Sequence, residues 1–154
     1  MPLPTTRASR LIPAAPAAVW DALMDPKALA QWLPPGDMTG EMHAFDGRVG
    51  GGFEMSLYYP EGETERVGKT AEREDRTRVR FAAIEPGRKV VWAVLFDTDD
   101  ASLQSEMTIT VSLEPAEGGT RVTFLSENLP PGLKPADNKE GSKESLKKLA
   151  AWFG

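Results

Sequence analysis

Asp137-Asn138-Lys139-Glu140-Gly141-Ser142-Lys143-Glu144-Ser145-Leu146-Lys147-Lys148-Leu149-Ala150-Ala151-Trp152-Phe153 carries one helical stripe. Ser142, Leu146, Leu149 and Phe153 recur at i, i+4, i+7 and i+11, Ser145 and Trp152 widen the stripe, and most of the charged residues fall on the other side. Asp137 followed three residues later by Glu140 has the form of a capping box, with Asp in place of Ser or Thr. The stripe is divided along its length: Gly141, Ser142 and Ser145 come first, then Leu146, Leu149, Trp152 and Phe153. A glycine inside a helix costs roughly 1 kcal/mol relative to alanine, so something approaches the backbone closely at Gly141 or the loss is simply tolerated. Two readings follow, a helix over a partly hollow core and a helix packed closely on a strand.

Upstream, Arg7 to Ile12 reads as a strand ended by Pro13 and Pro16. Pro16 is suited to the first position of a helix through Val19, Trp20 and Leu23, because its missing N–H is not needed there. Asp25-Pro26 repeats the device for a second short helix through Leu29 and Trp32, which Pro34 and Pro35 stop. From Met38 onward the period changes from 3.6 to 2, with strands at Met38–Phe45, Gly52–Tyr59, Arg78–Ile84, Lys89–Phe96, Glu106–Leu113 and Thr120–Ser126. The joints Asp46-Gly47, Glu61-Gly62, Glu85-Pro86-Gly87, Asp97 to Asp100, and Glu117-Gly118-Gly119 are short turn sequences, so the strands form an antiparallel meander. Gly50-Gly51-Gly52 reads as a bulge that bends the sheet. The charge-rich stretch Glu63 to Thr77 fits a strand extension, a loop, or both.

Alternation assigns the core rows: Phe53, Met55, Leu57 and Tyr59; Val79, Phe81 and Ala83; Val90, Trp92, Val94 and Phe96; Met107, Ile109, Val111 and Leu113; Val122 and Phe124. A curved sheet with one apolar face needs a cover, and the helix at 137–153 supplies it. The expectation is therefore an α+β helix-grip fold: a curved antiparallel sheet of about seven strands, two short helices after the first strand, and a long C-terminal helix over the concave face, with residues 1–154 forming one domain.

Composition narrows the function. A net charge of −5 disfavours nucleic acid, whose phosphates need clustered Lys and Arg. The chain has no cysteine, which excludes disulfides and thiol chemistry and suits a reducing cytoplasm; with one histidine, it carries no zinc-ligand pattern, which leaves a carboxylate-only site for a hard cation as the one metal alternative. Met1 to Arg10 has no apolar signal core and no run is long enough to span a bilayer, so neither a membrane nor secretion is expected. No cofactor motif is present. Gly68-Lys69-Thr70 looks like the end of a phosphate loop, but Gly62 leaves five intervening residues where the pattern needs four, and no helix pattern follows.

The order of elements resembles the helix-grip fold of START-like and Bet v 1-like (SRPBCC) domains. Within it the chain is similar to the bacterial proteins named after the C-terminal domain of the activator of Hsp90 ATPase. The segments that carry the resemblance are Ala14 to Leu23, Trp32-Leu33, Asp46 to Gly51, Val79-Arg80-Phe81, Glu85 to Arg88, Gly118 to Thr123 and Leu146 to Trp152. Each marks a turn or a packing position, and none is specific for chemistry. The resemblance implies a small, mostly hydrophobic ligand held between the sheet and the C-terminal helix. It does not transmit chaperone stimulation, which belongs to a separate N-terminal domain of the Hsp90 activator.

On this reading the ligand meets Phe53, Met55, Phe81, Trp92, Val94, Met107 and Ile109 from the strands and Gly141, Ser142, Ser145 and Leu149 from the helix, with Trp32 at the rim. Trp152 packs under the helix and Trp20 fills core. The unpaired N–H groups at the helix start favour an anionic end on the ligand. His43, Arg80, Tyr58 and Glu106 fall on the outer face by alternation, so no general acid or base is assigned. Two alternatives stand beside the binding reading: a cyclase- or dehydratase-like enzyme acting on such a ligand, and a protein-interaction module, co-chaperone-like or homodimeric, which requires an exposed apolar patch.

Overall fold

The structure is a computed structural model that describes residues 3–60 and 74–154. Strand β1 (Thr6–Ile12) is followed by helices α1 (Pro16–Met24) and α2 (Pro26–Trp32). Strands β2 (Thr39–Asp46), β3 (Gly52–Tyr58), β4 (Glu74–Glu85), β5 (Lys89–Phe96), β6 (Met107–Ala116) and β7 (Gly119–Glu127) come next, and helix α3 (Pro135–Phe153) closes the chain. Both short helices begin on proline, and Asp25 caps α2 by accepting from the Lys27 N–H. The seven strands form one antiparallel sheet in the order β1-β7-β6-β5-β4-β3-β2. The meander therefore runs outward to β2, while β1 returns to pair with β7, Thr6 opposite Ser126 and Ile12 opposite Thr120. This is the α+β helix-grip architecture that the sequence pattern implies.

Several local expectations change. Helix α3 starts at Pro135 with Lys134 at the N-cap and no side-chain cap, so Asp137 sits in the first turn and does not close it. Proline's fixed φ and absent N–H move the start upstream, and the Asp137 carboxylate then complements the helix dipole. Strand β6 runs on to Ala116 through Pro115, which is tolerated because pairing with β5 ends at Ser112. The register breaks fall at Met42/Ala44 and Phe81/Ala83, not within the glycines 50–52. Gly52 instead permits a close approach: a Cβ there would lie 1.8 Å from the Val79 carbonyl oxygen. Of the stretch Glu63 to Thr77, residues 74–77 belong to β4, and the rest, with Gly68-Lys69-Thr70, lies outside the described residues.

The inward rows of the sheet, with Val19, Leu23, Leu29 and Trp32 from the short helices and Leu146 and Leu149 from α3, make one buried cluster. Among the described residues no helix is long and apolar enough to cross a membrane.

Candidate functional site

The interior face is built by cross-strand pairing. Phe81 of β4 opposes Trp92 of β5, Trp92 opposes Ile109 of β6, Ile109 opposes Ser126 of β7, and Ser126 opposes Thr6 of β1, so these five residues cross the sheet in one row. A second row runs Phe53, Val79, Val94, Met107. Aromatic rings fill the space above them. Trp92 meets Phe53 edge-on at 5.6 Å between centroids and Phe124 at 6.0 Å, and Phe124 meets Trp32 at 6.3 Å. Eight of the expected lining residues, Trp32, Phe53, Met55, Phe81, Trp92, Val94, Met107 and Leu149, are buried in this cluster, with Ile109 packed against it.

Two polar atoms stand out in that apolar setting. Trp92 is 2% exposed and Ser126 0%, and among the described residues neither the indole Nε1 nor the hydroxyl Oγ has a hydrogen-bond partner. A buried donor left unpaired costs about 1–3 kcal/mol, so each such atom calls for an explanation. Their row continues through Thr6, whose hydroxyl donates to the Asn138 Oδ1 in the first turns of α3.

The small-residue half of α3 faces the loop that follows α2. Ser145, 4% exposed, donates its hydroxyl to the Leu33 carbonyl at 2.5 Å, and Lys148 Nζ donates to the carbonyls of Pro34, at 2.5 Å, and Met38, at 3.4 Å. The end of α2 has carbonyls with no intrahelical partner, and two prolines prevent further helical turns from supplying one, so α3 does. Desolvation holds the Lys148 ammonium below its ordinary pKa of 10.5, against the opposing pull of Glu144 and Asp37. At Gly141 a Cβ would lie 3.9 Å from Pro35, ordinary contact distance, so the glycine is not required there by crowding. Gly141, Ser142 and Ser145 therefore divide: Ser145 and Gly141 meet the loop, while Ser142 is buried on the helix.

Trp32 and Trp152 lie elsewhere than the sequence suggests. Trp32 is 1% exposed, not at a rim, and its indole donates to the Ala22 carbonyl at 3.0 Å, tying α2 to α1. Trp152 is 49% exposed, not under the helix. It borders a groove of about 630 Å³ whose other lining residues are Pro26, Lys27, Ala30 and Gln31 of α2 and Met42, His43, Ala44 and Phe45 of β2. The helical period carries Trp152 past the sheet toward this groove, and nothing in the α3 pattern alone reveals it.

On the outer face, Arg80 approaches Glu106 at 3.5 Å and the Tyr58 hydroxyl donates to Glu41 at 2.8 Å, all near solvent. His43 Nε2 lies 2.8 Å from the Ser56 Oγ, the contact distance of a base and a nucleophile. Ser56 is fully buried, so no substrate carbonyl can reach it and the pair is structural. Asp75 is a buried carboxylate that accepts from the Tyr59 hydroxyl at 3.3 Å. It opposes Leu57 and so faces inward, as the alternation Val79, Thr77, Asp75 carried backward would have indicated. Among the described residues no group of three or more His, Cys, Asp or Glu side chains is placed to hold a metal.

Fold and site together define a helix-grip domain with an aromatic interior. The sequence model described as "Activator of Hsp90 ATPase homolog 1-like protein" matches residues 13–154, and the chain belongs to that family. It is similar to a solved protein of Chromobacterium violaceum at 30% identity and a TM-score of 0.83, covering 96% of this chain and 95% of that one. A protein from Arthrobacter aurescens aligns at 21% identity and a TM-score of 0.78, over 96% and 84% of the two chains. The AHSA1-like protein from Aeromonas hydrophila aligns at 18% identity and a TM-score of 0.73, over 97% and 91%. No match was found among the curated proteins.

Proposed function

We propose that this chain binds a small, mostly hydrophobic molecule bearing a hydrogen-bond acceptor, held between the sheet and α3. The observation that carries this reading is the pair of unpartnered donors, Trp92 Nε1 and Ser126 Oγ, buried on one cross-strand row inside an aromatic cluster. A core evolved only for packing would place apolar atoms at both positions, whereas a carbonyl or carboxylate on a ligand would accept from both. Phe53, Met55, Phe81, Val94, Met107 and Ile109 give that ligand its apolar surroundings, and Ser142 and Leu149 face it from α3. Because the rings of Phe53, Trp92 and Phe124 are in mutual contact, loading requires them to part. The family and fold support this reading, and the closed His43–Ser56 pair gives no support to the enzyme alternative.

The test is binding of 8-anilinonaphthalene-1-sulfonate, an apolar anion, with mass spectrometry of any compound that copurifies. Trp92→Phe and Ser126→Ala should each weaken the probe by about fivefold to tenfold, the worth of one hydrogen bond, while Trp20→Phe leaves it unchanged. Unchanged affinity in both interior variants would overturn the assignment.

A further inference from the structure

We infer that the groove between α2 and β2 is a docking site for a short extended peptide, which adds to the sheet at the outer edge of β2. This surface is separate from the interior and independent of what the interior binds. Its lining carries the argument. Met42, His43, Ala44 and Phe45 are consecutive in one strand whose alternation is interrupted by the bulge between Met42 and Ala44, so the face of each is read from its cross-strand partner. Met42 pairs with Met55 and Phe45 with Phe53 on the inner face, whereas His43 reaches Ser56 and Ala44 pairs with Glu54 on the outer one. A groove touching all four residues cannot lie over either face, so it borders the edge of the strand. Strand β2 ends the sheet order, so along this edge its backbone N–H and C=O groups point away from the ladder with β3.

The opposite wall is a helix, contributing Pro26, Lys27, Ala30 and Gln31. An open channel between an edge strand and a helix is the geometry in which β-augmentation operates: backbone hydrogen bonds hold an extended segment, and side-chain pockets select it. The half-exposed Trp152 closes one side and offers a large apolar surface of the kind that anchors interfaces. Among the described residues the lining contains one cation, Lys27, and no carboxylate, although the chain as a whole carries a net charge of −5. The fitting occupant is therefore a segment of about four to six residues, at roughly 3.3 Å per residue, with an apolar side chain toward Trp152 and an acidic one toward Lys27. A second copy of this chain fits less well. Two β2 strands paired antiparallel about their middle would set Met42 of each against His43 of the other and so bring the two bulges together, where the ladder is already broken.

The experiment selects peptides from a random dodecapeptide phage library on the full chain. It then measures the affinity of the selected peptides and amide hydrogen exchange across β2. The expected result is enrichment of acidic-apolar sequences that slow exchange at 42–45. Lys27→Glu and Ala30→Trp should each weaken them by about tenfold or more, the loss of one central contact, with the melting temperature of Lys27→Glu unchanged. Peptides that bind without slowing exchange at 42–45, or equally well to Ala30→Trp, overturn the proposal. So does a selection that yields no binder, or a dimer in sedimentation that Ala30→Trp abolishes, which assigns the edge to a second copy.

Discussion

Replacing Ser145 with leucine tests whether the small-residue half of α3 is spare room or structure. Ser145 is 4% exposed and its hydroxyl donates to the Leu33 carbonyl at 2.5 Å. Leucine removes that donor from a carbonyl at the end of α2, at a cost of about 1–3 kcal/mol. It also forces a bulkier side chain toward the loop at 33–38, at a further ~1–3 kcal/mol. Together these amount to about 2–6 kcal/mol, which for a domain of this size lowers the melting temperature by roughly 4–24 °C. Ser145→Ala, which loses the donor without adding bulk, should fall by roughly 2–12 °C on the same basis. Calorimetric melts of the three proteins at one pH rank them wild type, alanine, leucine. A leucine variant as stable as wild type, or more so, would refute the close-packed account and return Ser145 to the lining of a hollow.

Ser126→Ala should leave stability unchanged or raise it by up to about 1 kcal/mol in denaturant melts, since it deletes a buried hydroxyl that has no partner; a clear loss would show that the hydroxyl is bonded. Trp32→Phe keeps most of the buried ring but removes the donor to the Ala22 carbonyl, so urea unfolding should report a loss of about 1–2 kcal/mol, and a neutral result would show that the α1–α2 tie is not stabilising. Lys148 has a lowered pKa in the folded protein, so the unfolded chain binds the extra proton. Wild-type stability relative to Lys148→Gln should therefore increase as pH rises through the alkaline range toward 10.5 and be flat below it; a decrease over that window would contradict the burial of the ammonium.

The sheet was legible because each of its strands announces itself locally. Period-2 rows such as Val90, Trp92, Val94 and the Gly or Asp turns between them fix both the strands and their inward faces, and Pro16 and Pro26 fix the short helices. What was not legible depends on where separate elements meet. Nothing in the α3 stripe says that Ser145 answers the Leu33 carbonyl, because the need for that donor arises at the end of another helix 112 residues away in the chain. Trp152 misled for a related reason. An apolar residue on a helical stripe reads as core whatever lies opposite, and opposite it lies a sheet edge and α2. Likewise the two unpartnered atoms on Trp92 and Ser126 become visible only when three strands are in register.

The pairing of β1 with β7 has a consequence for biosynthesis. Thr120 of β7, which donates to the Ala14 carbonyl just past β1, lies 106 residues downstream of it. At ribosomal speeds the first strand therefore waits roughly 5 to 20 s before its partner is made. During that interval the hairpins from β2 to β6 can form in order, each as it emerges, while Thr6, Ala8 and Ile12 have no strand to cover them. The N-terminal segment is thus the part of the sheet left longest without its partner strand. Slow codons placed between β6 and β7 would lengthen that interval.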